Sequence, residues 1–147
     1  FKGLIHNVYG DISEVPQTNR YHRITSVAAL EHICNLPEVV AISGTLLSEK
    51  SCFRASIPSE GRLLWYLGWR LTTGLEFQLK YGLDYGKLMA HEHVNTAQEI
   101  EDILRYFFQD VQRKLFGLSP SISLYQFFEC QTPLLDRCEA YLRTLKK

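Results

Sequence analysis

Along the first ninety residues, some segments have the apolar spacing of a strand and others have that of a helix. Runs that are β-branched or alternate with polar residues predict strands over 4–9, 39–42, 52–57, 75–81 and 85–90. A capped apolar stripe over 27–34 predicts a helix that ends before Pro37, because the residue before a proline avoids the helical region. A second helix is predicted from Ser59 to Gly74.

Polar segments separate these elements. Residues 11–23 predict a loop, and residues 48–51 predict a hairpin turn between two strands. The first six elements then follow the order β-α-β-β-α-β, which is the order of ferredoxin-like sheets.

The last third of the chain carries a strong helical pattern. Thr96 and Glu99 have the spacing of a capping box, and an apolar stripe continues behind them as far as Leu115. Gly117 is expected to end this helix. Two Ser-Pro or Thr-Pro pairs predict further helix starts, at 119–120 and 132–133. An apolar stripe from Leu134 to Leu145 predicts that the last of these helices is amphipathic.

These elements predict a single α+β domain over residues 1–147. Residues 1–94 are expected to form an α/β part, with a small mixed or antiparallel sheet of about four to five strands covered by amphipathic helices. Residues 95–147 are expected to form a helical part packed on it. A chain of 147 residues, 46% of them hydrophobic, is long enough to bury a core.

Charge and cysteine content limit the classes of partner. Sixteen basic residues balance sixteen acidic ones, whereas a protein that holds nucleic acid or an anionic membrane through charge usually has a basic excess. The chain has no apolar run of about twenty residues, so we expect no membrane span. Four cysteines without a CxxC pair predict reduced thiols and a cytoplasmic or nuclear location.

A cluster at 91–93 is the first candidate for chemistry. In an extended segment, His91 and His93 point the same way and can ligate one metal together with Asp84, His22, His32 or a cysteine. On a helix the two imidazoles diverge. A simpler interpretation is the exposed polar end of a strand.

The segment Leu79–Asp84 reads Leu-Lys-Tyr-Gly-Leu-Asp and resembles a Leu-Lys-Tyr-Gly-x-Asp stretch of tRNA-splicing endonuclease subunits. The resemblance covers six residues and implies metal-free RNA cleavage by Tyr, His and Lys. The chain departs from the family at 95–96, where a helix is predicted instead of a strand. The implied roles are a base at Tyr81 or Tyr85, an acid at His91 or His93, and charge stabilisation by Lys87.

Interleaved basic and aromatic residues support another alternative, a module that binds single-stranded nucleic acid. Such modules stack bases on aromatic rings and contact phosphates through Arg. The candidates are Arg20–Arg23, Trp65, Trp69, Arg105 and Tyr106. Packing in the core explains the two tryptophans equally well.

The preferred interpretation is a non-enzymatic protein-interaction domain, or a subunit of a larger assembly, that docks through an aromatic helical surface. Aromatic residues concentrate between 106 and 128, and exposed aromatic clusters carry much of the energy of interfaces. The expected binding residues are Trp65, Trp69, Arg105, Tyr106, Phe127 and Phe128. We expect the partner to be another protein or a second copy of the chain. The sequence contains no nucleotide-binding motif, so we expect no cofactor.

Overall fold

The computed structural model of the chain describes residues 3–59, 73–82, 93–119 and 122–146. Four strands are present in these ranges: β1 Tyr21–Val27, β2 Leu47–Pro58, β3 Phe108–Ser119 and β4 Ile122–Pro133. The described helices are α1 Leu36–Leu46, α2 Thr73–Tyr81, α3 Ala97–Phe107 and α4 Leu135–Thr144. Single 3₁₀ turns occur at Ile12–Glu14 and Leu30–His32.

The four strands form one mixed sheet in the order β1-β2-β4-β3. β1 and β2 are parallel and are connected through α1, whereas β4 runs antiparallel to both β2 and β3. The predicted α+β class with a small mixed sheet is therefore confirmed. Neither the ferredoxin-like order nor a helical last third is confirmed.

One face of the sheet packs against helices and forms the core. Phe53, Ala55 and Ile57 of β2 lie beside Phe128 and Cys130 of β4, and all are at most 3% exposed. Helices α1, α3 and α4 contact one another above them. They bury Leu36, Val40, Ala41, Ile100, Leu104, Phe107 and Cys138.

Helices α1 and α4 approach closely at Gly44. A Cβ at this position would lie 2.8 Å from the Cys138 Sγ, so only glycine fits without a shift. Glycine inside a helix costs about 1 kcal/mol of stability relative to alanine. The close packing of the two helices offsets that cost.

Three predictions for residues 4–46 were wrong. The described residues before Tyr21 form no strand. Residues 27–34 are the end of β1 followed by a 3₁₀ turn, and the helix lies instead over 36–46. Pro37 is in the first turn of α1, where a missing N–H breaks no helical hydrogen bond. The β-branched run 39–42 is helical because tertiary packing overrides its strand propensity.

The segment 48–51 does not reverse the chain. It forms an irregularity inside β2, where the register with β1 changes from Tyr21 opposite Leu47 to Arg23 opposite Cys52. Lys50 has a positive φ of 53°, which turns the backbone out of the ladder. The strand predicted over 52–57 is confirmed as part of β2.

Residues 75–81 are helical rather than extended. The alternating pattern in this segment also places Leu75 four residues before Leu79, and Glu76 four residues before Lys80, which suits a helix equally well. The helix predicted to end at Gly74 and the strand predicted over 85–90 lie largely outside the described residues. Gly74 itself is inside α2.

The helix predicted from Thr96 ends at Phe107, ten residues before Gly117. Its capping box is confirmed, with reciprocal hydrogen bonds between Thr96 and Glu99. From Phe108 onward the backbone pairs with β4, so this part of the predicted helix is a strand. The starts predicted at 119–120 and 132–133 are wrong for Ser119, which ends β3, and for Thr132 and Pro133, which end β4. A helix begins two residues after Pro133, at Leu135.

Candidate functional site

The sheet has a second face, opposite the core. Side chains alternate along a strand, so Arg54 and Phe127 point away from the buried Phe53 and Phe128. Register places the corresponding residues of all four strands side by side. We call this surface the open face, and it comprises Thr25, Val27, Arg54, Ser56, Asp110, Gln112, Lys114, Phe116, Tyr125, Phe127, Glu129 and Gln131.

Aromatic side chains dominate one end of the open face. Phe116 of β3 is 62% exposed and is the register partner of the half-buried Tyr125 of β4. Phe127 is 44% exposed, and its ring centroid lies 6.4 Å from that of Tyr125. Val27 of β1 adds a further exposed apolar group. The open face thus presents large apolar side chains from three strands to solvent.

Charged groups lie next to these aromatic rings. The Nε and Nη2 atoms of Arg54 both donate to Oε2 of Glu129 at 2.7 Å, across the β2–β4 pair. Lys114 is the register partner of Phe127, and Asp110 accepts a hydrogen bond from Thr132 at 3.1 Å. Both signs of charge are therefore present on the face.

Two depressions are connected with this surface. A hollow of about 320 Å³ on the open face is lined by Thr25, Gln112, Lys114 and Phe127, among others. A larger cleft of about 790 Å³ follows the irregular part of β2 and is lined by residues 47–52. Arg54 and Glu129 line both, so their salt bridge forms a wall common to the two depressions.

Two of the predicted binding residues are neighbours on β4 but point in opposite directions. Phe127 is exposed on the open face, as a docking residue must be. Phe128 is 1% exposed and lies in the core, so a partner cannot contact its ring. Trp65 and Trp69 lie outside the described residues.

Arg105 and Tyr106 lie on α3, away from the sheet register that builds the open face. Arg105 donates from Nε and Nη2 to Oε1 of Glu101, at 3.0 and 2.7 Å. Tyr106 is 52% exposed, and the Arg137 guanidinium lies 5.2 Å from the centre of its ring. Both predicted residues have contacts within the chain that account for their positions.

A second cluster contains His93, one of the predicted acid and metal candidates. Its ring packs edge-on against that of His32, with 4.5 Å between centroids. The backbone N–H groups of Val94 and Asn95 donate to the carbonyl of Glu31, at 2.9 and 3.1 Å. The segment before α3 is thereby attached to the 3₁₀ turn at Leu30–His32.

The carboxyl group of Glu31 is buried within this cluster. Its Oε1 lies 3.9 Å from Nε2 of His32, while Oε2 accepts no hydrogen bond from the described residues. Burial raises the pKa of Glu31. Burial and the neighbouring His32 lower the pKa of His93.

The remaining catalytic and metal candidates do not form a site within the described ranges. Tyr81 is the last residue of α2 and is 57% exposed. Asp84, Tyr85, Lys87 and His91 lie outside the described residues. Across the ranges that are described, no three His, Cys, Asp or Glu side chains are arranged to hold a metal ion.

Sequence reasoning missed the part that β3 plays. Lys114 and Phe116 belong to the open face, but their segment was predicted to be helical. The sequence offered no distinct strand signal here, because the half-buried Val111 and Leu115 lie four residues apart, a spacing that suits a helix as well as a strand.

The chain matches no protein-family model and no curated protein. In the described parts of the chain, no helix has the length and apolar character needed to cross a membrane.

Proposed function

We propose that this chain is a protein-interaction domain that docks a partner protein through the open face of its sheet. The observation that supports the proposal is the aromatic cluster on two paired strands, in which Phe116 and Phe127 are exposed and Tyr125 is half-buried. Clusters of this kind on one face of a folded domain are typical of docking surfaces.

The energetics favour a partner that covers the aromatic rings. Complete burial of a phenylalanine side chain contributes about 1.5–3 kcal/mol, and Phe116 and Phe127 both retain substantial exposed area. The Arg54–Glu129 salt bridge lies beside them. A covered aromatic centre with a polar surround is the usual anatomy of a protein interface.

Nucleic acid fits this face less well than protein does. Lys114 beside Phe127 is the pairing that a base-stacking site would use. However, the guanidinium of Arg54 is already bound to Glu129, and the net charge of the chain is zero. A sequence-tolerant nucleic-acid surface needs an excess of cations to contact phosphates.

The nuclease-like alternative centred on residues 81–93 has less support. Tyr81 and His93 are described, whereas Tyr85, Lys87 and His91, the other residues expected to take part, lie outside the described residues. The contacts of His93 with His32 and of Val94 with Glu31 also explain that cluster as a structural attachment of α3.

A site-specific photocrosslink tests the proposal directly. A benzophenone side chain in place of Phe116, in the full chain expressed in cells, is expected to give discrete protein adducts after illumination. The matched control has the same group in place of Tyr106, an aromatic of similar exposure on α3.

Adducts from position 116 and not from position 106 would support docking at the open face. Adducts only from position 106 would favour a helical surface and overturn the proposal. Adducts from position 116 that nuclease treatment removes would overturn it in favour of nucleic acid.

A further inference from the structure

We propose that the open face binds a second copy of this chain, so that two sheets pack face to face about a twofold axis. This inference rests on the proposed docking function and names its partner. Sheet-on-sheet packing is a common way to cover an apolar sheet face, with the two sheets about 10 Å apart.

Charge complementarity supports a second copy as the occupant. A twofold interface uses the same patch on both subunits, so that patch must complement itself. The open face carries Arg54 and Lys114 together with Glu129 and Asp110. With the twofold axis parallel to the strands, β2 of each copy lies over β4 of the other, and Arg54 of one copy then faces Glu129 of its partner copy. A net charge of zero adds no long-range repulsion.

The distribution of apolar groups also suits another sheet. Val27 lies on one edge strand, Phe127 on a central strand and Phe116 on the other edge strand. The exposed apolar groups thus extend across the width of the sheet instead of forming a single deep pocket. A second flat sheet contacts all of them at once, whereas one helix would cover a narrower stripe.

The size of the face predicts a weak dimer. Four strands spaced about 4.8 Å apart, with about seven residues along each at about 3.3 Å, give a footprint of roughly 450 Å² per copy. That is below the roughly 800 Å² per partner of a standard interface. We expect a dissociation constant in the range of about 1–100 µM, typical of a transient association.

Within the described sheet, the outer edge of β3 is a less suitable contact than the face. The pairing of β3 with β4 is irregular at Phe116–Gly117 and at Gly117–Ser119, which interrupts the regular ladder that a new strand would extend. Arg113 on the same strand is held by Glu101 at 2.8 Å. Irregularities and charged residues are features that protect edge strands from pairing.

Sedimentation velocity of the full chain from about 0.5 to 500 µM, a range chosen to bracket the expected constant of about 1–100 µM, tests the inference. The wild-type mass is expected to shift from monomer towards dimer. Phe116→Glu is expected to weaken the dimer at least tenfold, because the charge would be desolvated in the interface. Phe116 is 62% exposed, so this variant should keep its thermal midpoint.

Tyr106→Glu, on α3, is the control and is expected to dimerise like the wild type. A chain that stays monomeric at 500 µM would overturn the inference, as would a Phe116→Glu variant that dimerises normally. A monomeric chain that still crosslinks another protein from position 116 would keep the docking function and reject only the second copy. Adducts that nuclease removes would reject both.

Discussion

Phe127 and Phe128 illustrate at the scale of single residues how side-chain alternation separates surface from core. The two rings are adjacent in sequence and identical in chemistry, but one is 44% exposed and the other 1%. Phe128 packs between β2 and the helices, whereas Phe127 contacts Tyr125 and solvent. No local property of the Phe-Phe pair indicates which ring faces the core.

Alanine substitutions at these two positions are expected to have very different effects on stability. Phe128→Ala should lower the free energy of unfolding by about 3–5 kcal/mol, because it leaves a cavity in the core. Phe127→Ala should lower it by less than about 1 kcal/mol. Urea denaturation measures both.

Phe128→Leu keeps most of the buried volume and provides a foldable comparison if Phe128→Ala does not fold. Phe128→Leu should lower the free energy of unfolding by well under half as much as Phe128→Ala does. Equal losses for alanine at positions 127 and 128 would contradict the assigned register of β4.

The four cysteines differ strongly in their environments. Cys34 is exposed and Cys52 is half-buried, while Cys130 and Cys138 are fully buried. Burial raises the pKa of Cys130 to about 12 and that of Cys138 to about 11. The thiolate is the reactive form, so the two buried thiols are almost entirely protonated at neutral pH.

Alkylation of the native chain near neutral pH is therefore expected to modify Cys34 first and Cys52 more slowly. Cys130 and Cys138 should remain unmodified until the chain unfolds. Mass spectrometry of native and denatured samples gives the four rates. Native modification of Cys130 as fast as Cys34 would show that β4 does not bury it.

At the scale of elements, Glu101 connects α3 to β3. Its carboxylate accepts hydrogen bonds from Arg105 on the same helix and from Arg113 on the strand, at 2.7 and 2.8 Å. Burial alone would raise the pKa of Glu101, but the hydrogen bonds from the two arginines bring it below its ordinary value of 4.5. The folded state thus favours the charged form.

Glu101→Gln is expected to cost about 2–3 kcal/mol of unfolding free energy at pH 7, because Arg113 loses a charged partner. A lowered pKa gives stability that is present above the unfolded value and lost as the pH falls through the folded one. The difference between wild type and variant should therefore shrink below about pH 4.5. Chemical denaturation from pH 3 to 7 measures it.

Asp102→Asn is the matched control, since Asp102 is exposed and its described hydrogen bond is to Gln98 on the same helix. This variant should change the free energy of unfolding by less than about 0.5 kcal/mol throughout the range from pH 3 to 7. A Glu101→Gln variant that is as stable as this control at pH 7 would contradict the connection between α3 and β3.

Local sequence signals identified some elements correctly. The capping box at Thr96–Glu99 acts within one turn, so its residues alone predict the start of α3. The apolar stripe of α4 and the strand 52–57 are likewise visible in short windows. The end of α3 was not visible, because Phe107 and Phe108 continue the helical stripe while both are buried. Pairing of Phe108 with Pro133 of β4, about 25 residues later, converts the chain to strand at that point.

At the scale of the whole molecule, the sheet divides the chain into a covered face and an open one. Helices α1, α3 and α4 are on the core side, whereas Phe116 and Phe127 of the open face are exposed and Tyr125 is half-buried. The zero net charge then has a specific consequence for the proposed dimer, because two copies approach without long-range repulsion.

The candidate site was predictable in chemistry but not in position. Aromatic residues between 106 and 128 indicated a docking surface, and Phe127 does belong to the open face. The helical surface expected there does not exist in that form, because residues 108–119 and 122–133 form a hairpin. Phe116 joins Tyr125 only through the register of that hairpin.

The sequence by itself determined the features that depend on neighbouring residues: the mixed α+β character, the start of α3 and the amphipathic α4. It also showed that the chain has 12% aromatic residues and a net charge of zero. Only the tertiary structure decided that residues 39–42 are helical, that β3 pairs with β4, and that Phe127 and Phe128 face opposite ways. The physical reason is the distance along the sequence over which each interaction acts. Capping and helical spacing act over three or four residues, whereas strand register and burial depend on partners far along the chain, such as Ser56 opposite Phe127.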